Sequence, residues 1–215
     1  MARSRDNPNP DFVREVEELL SSHDEDALVA CAVDDRLIIR WTSPAWDRRA
    51  SLVPSLVEPQ VLGRSLLEGI LQPLHQFYRS ELNRTLREAR LWRHEYLGAT
   101  RDELLTGLLT AHPLEGHRGL LLVHAQIFAR PHENVVVEPV LARYRDARGI
   151  MHVCGSCRVT ARQDGQGGWD FLPMLLEPHD PIPTAWTLCP SCAVHYERLG
   201  DARESPRSQR EPGRT

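Results

Sequence analysis

Apolar and polar positions recur along this chain with two different periods. Phe12, Val16, Leu19 and Leu20 are spaced as one face of a helix, with Arg14, Glu15 and Glu18 elsewhere, so an amphipathic helix is expected from Asp11, ended by Ser21, Ser22 and His23. Residues 28–33 form a short apolar run, Asp34-Asp35 reads as a turn, and Leu37-Ile38-Ile39 starts a returning strand. Ser43 is placed to cap a short helix beginning at Pro44, and Gly63 precedes another short segment at 65–71. A longer helix is predicted over 73–90, where Leu74, Phe77, Tyr78, Leu82 and Leu86 make a stripe and Arg79, Glu81, Arg84, Arg87 and Glu88 face water. Three strands follow. Trp92, His94 and Tyr96 alternate with Arg93 and Glu95, and residues 104–111 and 120–128 are apolar runs joined by the turn Glu115-Gly116-His117-Arg118-Gly119.

Two opening strands and three closing strands predict one antiparallel sheet, with helices covering one face and the N-terminal helix ahead of it, an α+β unit. Residues 1–24 are read as a disordered start and that first helix, and 25–131 as the sheet domain. Residues 132–150 read as a connector holding Val135-Val136-Val137, a helical turn after Pro139 and a close at Arg148-Gly149. A small module occupies 151–199, with a turn and aromatic cluster at 167–173 and a short helix at Met174-Leu175-Leu176. An Arg/Glu/Ser/Pro/Gly-rich tail at 200–215 is expected to be disordered.

Composition narrows the chemistry. The 215 residues are 41% hydrophobic and 26% charged, ordinary values for a folded chain. All 26 basic residues are arginine, which excludes a P-loop lysine, a Schiff-base lysine and a kinase-type phosphate-anchoring lysine. No Ser/His/Asp order or paired-carboxylate site stands out, so no enzyme activity is expected. The net charge is −4, and residues 151–215 carry seven arginines against eight carboxylates, which speaks against nucleic acid as a partner. No apolar run is long enough to span a bilayer, and the first ten residues hold no signal-peptide core, so a cytoplasmic protein is expected.

Four of the five cysteines fall in two pairs, Cys154-Gly155-Ser156-Cys157 and Cys189-Pro190-Ser191-Cys192. Two such pairs supply the four soft ligands of a tetrahedral site, and structural zinc is the leading assignment. An iron–sulfur cluster takes the same ligands and a redox dithiol needs only one pair, so both stay open. Covalent haem is disfavoured because Arg158 and Ala193 follow the pairs where histidine is needed. The 31 residues between the pairs exceed the usual zinc-ribbon gap. Arg158, Arg162, His152 and His195 are near in sequence and expected to offset the thiolate charge.

Two stretches resemble known families. Residues 32–41 followed by Ser43-Pro44-Ala45-Trp46, then Val61-Leu62-Gly63-Arg64-Ser65-Leu66 and Leu121-Leu122-Val123-His124-Ala125, resemble a PAS domain, with Thr42 where asparagine is common. Cys154–Val159, Gly168–Pro173, Leu188–Cys192 and Tyr196 resemble a zinc-ribbon-like cysteine module found after PAS or receiver domains in bacterial signalling proteins. The Ser-His-Gly of that module is replaced by Ala185-Trp186-Thr187. The resemblance implies a non-enzymatic signal-transduction protein with a protein partner and homodimerisation through the first helix. A DNA-binding regulator and a thiol redox switch are the alternatives. Trp41, Trp46, Phe77, Tyr78, Trp92 and Tyr96 are candidates to line a ligand cavity, although such aromatics are more often plain core. His75 and His94 are candidate haem ligands under the same resemblance, with a structural histidine favoured. Cys31, in mid-strand, reads as a small buried hydrophobe.

Overall fold

The computed structural model describes residues 10–21, 28–46, 61–176 and 182–204. The ends expected to be disordered, 1–9 and 205–215, and the helix-ending residues Ser22 and His23 lie outside them.

The first unit is an α+β domain built on a five-stranded antiparallel sheet. Its strands are β1 (Val29–Asp34), β2 (Ile39–Thr42), β3 (Trp92–Ala99), β4 (Glu103–Pro113) and β5 (Gly119–Pro131), in spatial order β2-β1-β5-β4-β3. The opening hairpin thus joins the closing meander through the β1–β5 pairing, which runs from Val29 opposite His124 to Asp34 opposite Gly119. Asp34 fixes the opening turn, its carboxylate accepting from the backbone N–H groups of Arg36 and Ile38 and from Arg40.

Both faces of the sheet are covered, each by a different helix. The inner face carries Cys31, Val33, Leu109, Ala111, Leu120 and Leu122, packed against α2 (Gln72–Glu88) through Leu74, Tyr78, Leu82 and Leu86. A 3₁₀ turn at Leu66–Gly69, closed by a Ser65/Glu68 capping box, leads into α2. The outer face carries Ala30, Ala32 and Leu121, and α1 (Pro10–Leu20) lays Phe12, Val16 and Leu20 on it. Glu15 pins that helix to the β4–β5 turn through Arg118 at 2.9 Å. The apolar stripe expected to serve a homodimer is therefore buried on its own sheet, and of its residues Leu19 is the one left exposed.

Trp41 belongs to the outer face, and a β-bulge is the reason. Ala32 pairs with Trp41 but Val33 with Ile39, leaving Arg40 as the extra residue on β2. That single insertion turns Trp41 away from the side that Ile39 faces.

The second unit begins earlier than the cysteines. Of residues 132–150, expected as a connector, the stretch from Asn134 is packed into it: Val136 and Asn134 hydrogen-bond the backbone of Phe171, and Tyr144 is buried with Met151, Val153 and Leu172. The unit's own sheet has the order β8-β7-β6-β9, from β6 (Met151–Cys154), β7 (Val159–Ala161), β8 (Trp169–Phe171) and β9 (Thr184–Thr187). β6 and β9 pair in parallel while the other pairs are antiparallel. Among the described residues, the 31-residue gap between the cysteine pairs holds β7, β8, β9 and a 3₁₀ turn at Pro173–Leu176. Helix α3 (Pro190–Glu204) closes the unit and carries regular structure into residues 200–204, the start of the expected disordered tail.

Candidate metal centre and adjoining cavity

Cys154 ends β6, and Cys157 closes the turn that leads into β7. Cys189 immediately precedes Pro190, the first residue of α3, and Cys192 lies in that helix's first turn. One pair therefore rides on a strand–turn–strand and the other on a helix start, where backbone N–H groups and the helix dipole favour thiolate.

The four sulfurs converge. All lie within 4.8 Å of one another, and Cys157 Sγ is 3.6 Å from Cys189 Sγ. Sulfurs about 2.3 Å from one tetrahedral ion stand about 3.8 Å apart, so the donor set fits a single ion of that geometry. All four side chains are buried, and none forms a disulfide. Hydrogen bonds from the neighbouring thiols hold Cys154 far below the usual thiol range, while Cys157 and Cys192 are pushed up by the same sharing of protons with Cys154. Cys189 is also held below the ordinary thiol value by Cys157 and Cys192. A metal ion binds all four as thiolates, and its charge at the centre would stabilise them together.

The groups expected to offset the sulfur charge are mostly engaged elsewhere. Arg162 makes two 2.6 Å bonds to the buried Asp170 carboxylate, which also accepts from Tyr144 at 2.8 Å. His152 pairs with Asp146 at 3.0 Å, and His195 Nε2 lies 2.9 Å from the Glu95 carbonyl oxygen. Arg158 is the one whose charge acts on Cys154 and Cys157. Its guanidinium sits 5.2 Å from the centre of the Trp186 ring, so the tryptophan standing in the Ser-His-Gly position is an arginine platform.

Helix α3 and the Cys154–Cys157 turn pack directly against the first unit. Tyr196 joins Phe77, Tyr78 and His94 in an aromatic cluster, with ring centroids 5.2 Å from Phe77 and 5.6 Å from His94. The Tyr78 and Tyr196 hydroxyls hydrogen-bond each other, Tyr196 also engages Ser156, and Ser156 Oγ donates to the Leu97 carbonyl at 3.1 Å. Burial raises both phenols above their ordinary range, so they remain neutral hydrogen-bonding groups. Further along, His132 stacks on Phe171 and places Nε2 2.8 Å from the Thr100 carbonyl oxygen.

Between α2, the inner sheet face and this junction lies a cavity of about 220 Å³. Its wall draws on both units: Leu74, Tyr78, Tyr96 and His124 from the first, and Gly155, Ser156, Arg158 and Tyr196 from the second. Tyr96 reaches across β4 to place its hydroxyl 3.2 Å from His124 Nδ1, and only glycine at 107 leaves room, since a Cβ there would lie 2.3 Å from the Tyr96 ring. Of the six aromatic candidates, Trp46, Tyr78 and Tyr96 line the cavity. Phe77 and Trp92 stand instead in the aromatic cluster around His94, and Trp41 faces α1 across the bulge. Neither His75 nor His94 reaches the cavity wall; His94 is buried flat against Trp92 at 5.4 Å. Cys31 is fully buried and its thiol is pushed well up by that burial, as suits an inert core residue. Sequence reasoning missed Ser156, Arg158 and Tyr196 as cavity residues, because only packing between distant segments brings them there.

No family model and no curated protein matches this sequence. Among solved structures it is similar to the PAS domain of an HTR-like protein from Haloarcula marismortui, at 20% identity and a TM-score of 0.33, over 55% of this chain and 100% of that one. No helix among the described residues is long and apolar enough to cross a membrane.

Proposed function

We propose that this is a non-enzymatic, cytoplasmic signal-transduction protein. A PAS-like domain senses a small molecule in the cavity, and a structural zinc module passes the change to a protein partner. The observation that carries the reading is the shared wall: the turn holding Cys154 and Cys157 forms one side of the cavity that the sheet domain forms on the other. A ligand there touches both units, so any difference in its affinity for two arrangements of the junction biases that equilibrium.

Zinc is the ion proposed. Four thiolates within 4.8 Å suit one ion, whereas the thiolates of a multi-iron cluster are spread over different irons. A site with four protein ligands leaves no position for a reacting water, in keeping with a structural role. Metal analysis of the purified protein is expected to find one zinc per chain and no visible absorption. Iron charge-transfer bands, or a folded module without metal, would contradict this. For the sensing role, Gly98 gives the test, because it lines the cavity and a Cβ there meets nothing within 4 Å. Gly98→Leu fills the space, and hydrogen exchange across residues 154–158 and 190–198 is expected to change although the substitution lies in β3. Unchanged exchange in both segments would refute the coupling.

A further inference from the structure

We propose that the cavity takes a small monocarboxylate with an apolar body about the size of one aromatic ring, its carboxylate held by Arg158 beside the metal centre. The inference rests on the sensing role proposed above and adds the chemical class of the ligand.

Size and lining set the body of the ligand. A dry cavity of about 150 Å³ is enough for benzene, and this one measures about 220 Å³ with Leu74, Leu82, Leu105, Leu109 and Leu122 in its wall. That leaves room for one ring and a short polar end. The polar side chains of the wall are mostly occupied with one another. Tyr96 engages His124, and Tyr78, Tyr196 and Ser156 form the chain that ends on the Leu97 carbonyl.

Arg158 differs from them. Arg40, Arg84, Arg118, Arg143 and Arg162 each lie within ion-pair distance of a carboxylate, but among the described residues Arg158 has none. Its guanidinium carbon lies over the Trp186 ring, 5.2 Å from the centroid, a contact that uses no carboxylate. The N–H donors of a guanidinium can then offer a carboxylate the two parallel bonds it accepts. Arg158 also holds a left-handed backbone conformation, φ 66°, and its N–H donates to the Cys154 carbonyl at 3.1 Å, which anchors its base to the turn. A phosphate ester fits less well, because its second charge would enter an apolar space whose one guanidinium also faces the Cys154 and Cys157 sulfurs.

The test is calorimetric titration of the full-length, zinc-loaded protein with phenylacetate and with its uncharged isostere phenylacetamide. Wild type is expected to prefer the acid at least tenfold. Arg158→Gln should weaken phenylacetate binding by roughly tenfold to a hundredfold and leave phenylacetamide within about twofold. Gly98→Leu should abolish binding of both. Equal affinity of wild type for acid and amide, or unchanged phenylacetate binding in Arg158→Gln, overturns the carboxylate assignment; blockage by Gly98→Leu would then still support the sensing cavity. Binding of neither compound by wild type overturns the ligand class, and the exchange experiment on Gly98→Leu then decides the sensing role separately. If Arg158→Gln does not retain its zinc, the acid-to-amide ratio of wild type decides alone.

Discussion

Asp170 is the residue on which the second unit's polar interior depends. Its carboxylate is 1% exposed and is held below the usual carboxylate range, first by Arg162 and also by Tyr144. Asp170→Asn removes the charge but leaves Arg162 facing the site, and is expected to cost about 2–3 kcal/mol by chemical denaturation. The pH dependence follows from the sign of the shift. A carboxylate with a lowered folded-state pKa stabilises fully above its unfolded value of about 4 and loses that contribution as the pH falls through the folded one. The stability gap between wild type and Asp170→Asn should thus be constant from neutral pH down to about 4 and close below it; a gap that widens in acid would contradict the assignment. At the metal centre, Cys154→Ser or Cys192→Ser should remove zinc and unfold the module, since structural zinc supplies on the order of 10 kcal/mol in small zinc-dependent domains. Zinc content and the thermal melt of the single variants check this. Gly107→Ala should displace the Tyr96 ring, break its contact with His124 and cost about 1–3 kcal/mol, read from the melting temperature.

At the scale of elements, α1 and the β2 bulge show what local sequence pattern can and cannot reveal. The helical spacing of Phe12, Val16 and Leu20 announces an amphipathic helix without further information, and the helix buries those residues. Which surface it covers was not legible, because the stripe fits a second copy as well as its own sheet. Val16 is fully buried, so Val16→Ala should cost roughly 2 kcal/mol, measured by denaturant unfolding of the protein at several concentrations. A cost that varies with concentration would instead place the stripe in a dimer seam. The face on which Trp41 lies is hidden in the sequence for a related reason. Strand alternation assigns faces reliably only while the register is unbroken, and the extra residue Arg40 breaks it. By contrast, the two Cys-x-x-Cys pairs were readable at once. Each pair has its geometry built into a four-residue segment, and the only long-range requirement is that the segments meet.

On the scale of the whole molecule, the two units share a core. Buried residues of α2 and β3, the four cysteines and Tyr196 belong to one continuous apolar cluster. Sequence could not show the junction between the two units, whose contacts join residues such as Ser156 to Leu97 and His195 to Glu95. Spacing carries no signal at that separation, and single-element periodicity cannot register a residue buried by a neighbour about 100 positions away. The connector was hidden in the same manner: Tyr144 is polar-tipped and isolated in sequence, yet it is 1% exposed beside Asp170. If metal centre and cavity wall are one structure, the metal should stabilise both units. The most direct measurement is hydrogen exchange on the full-length protein before and after zinc removal by chelator. The account predicts lost protection in residues 151–198 and also in α2 and β3, the elements that face Tyr196 and the Cys154–Cys157 turn. Loss confined to residues 134–204, with α2 and β3 as protected as before, would contradict it.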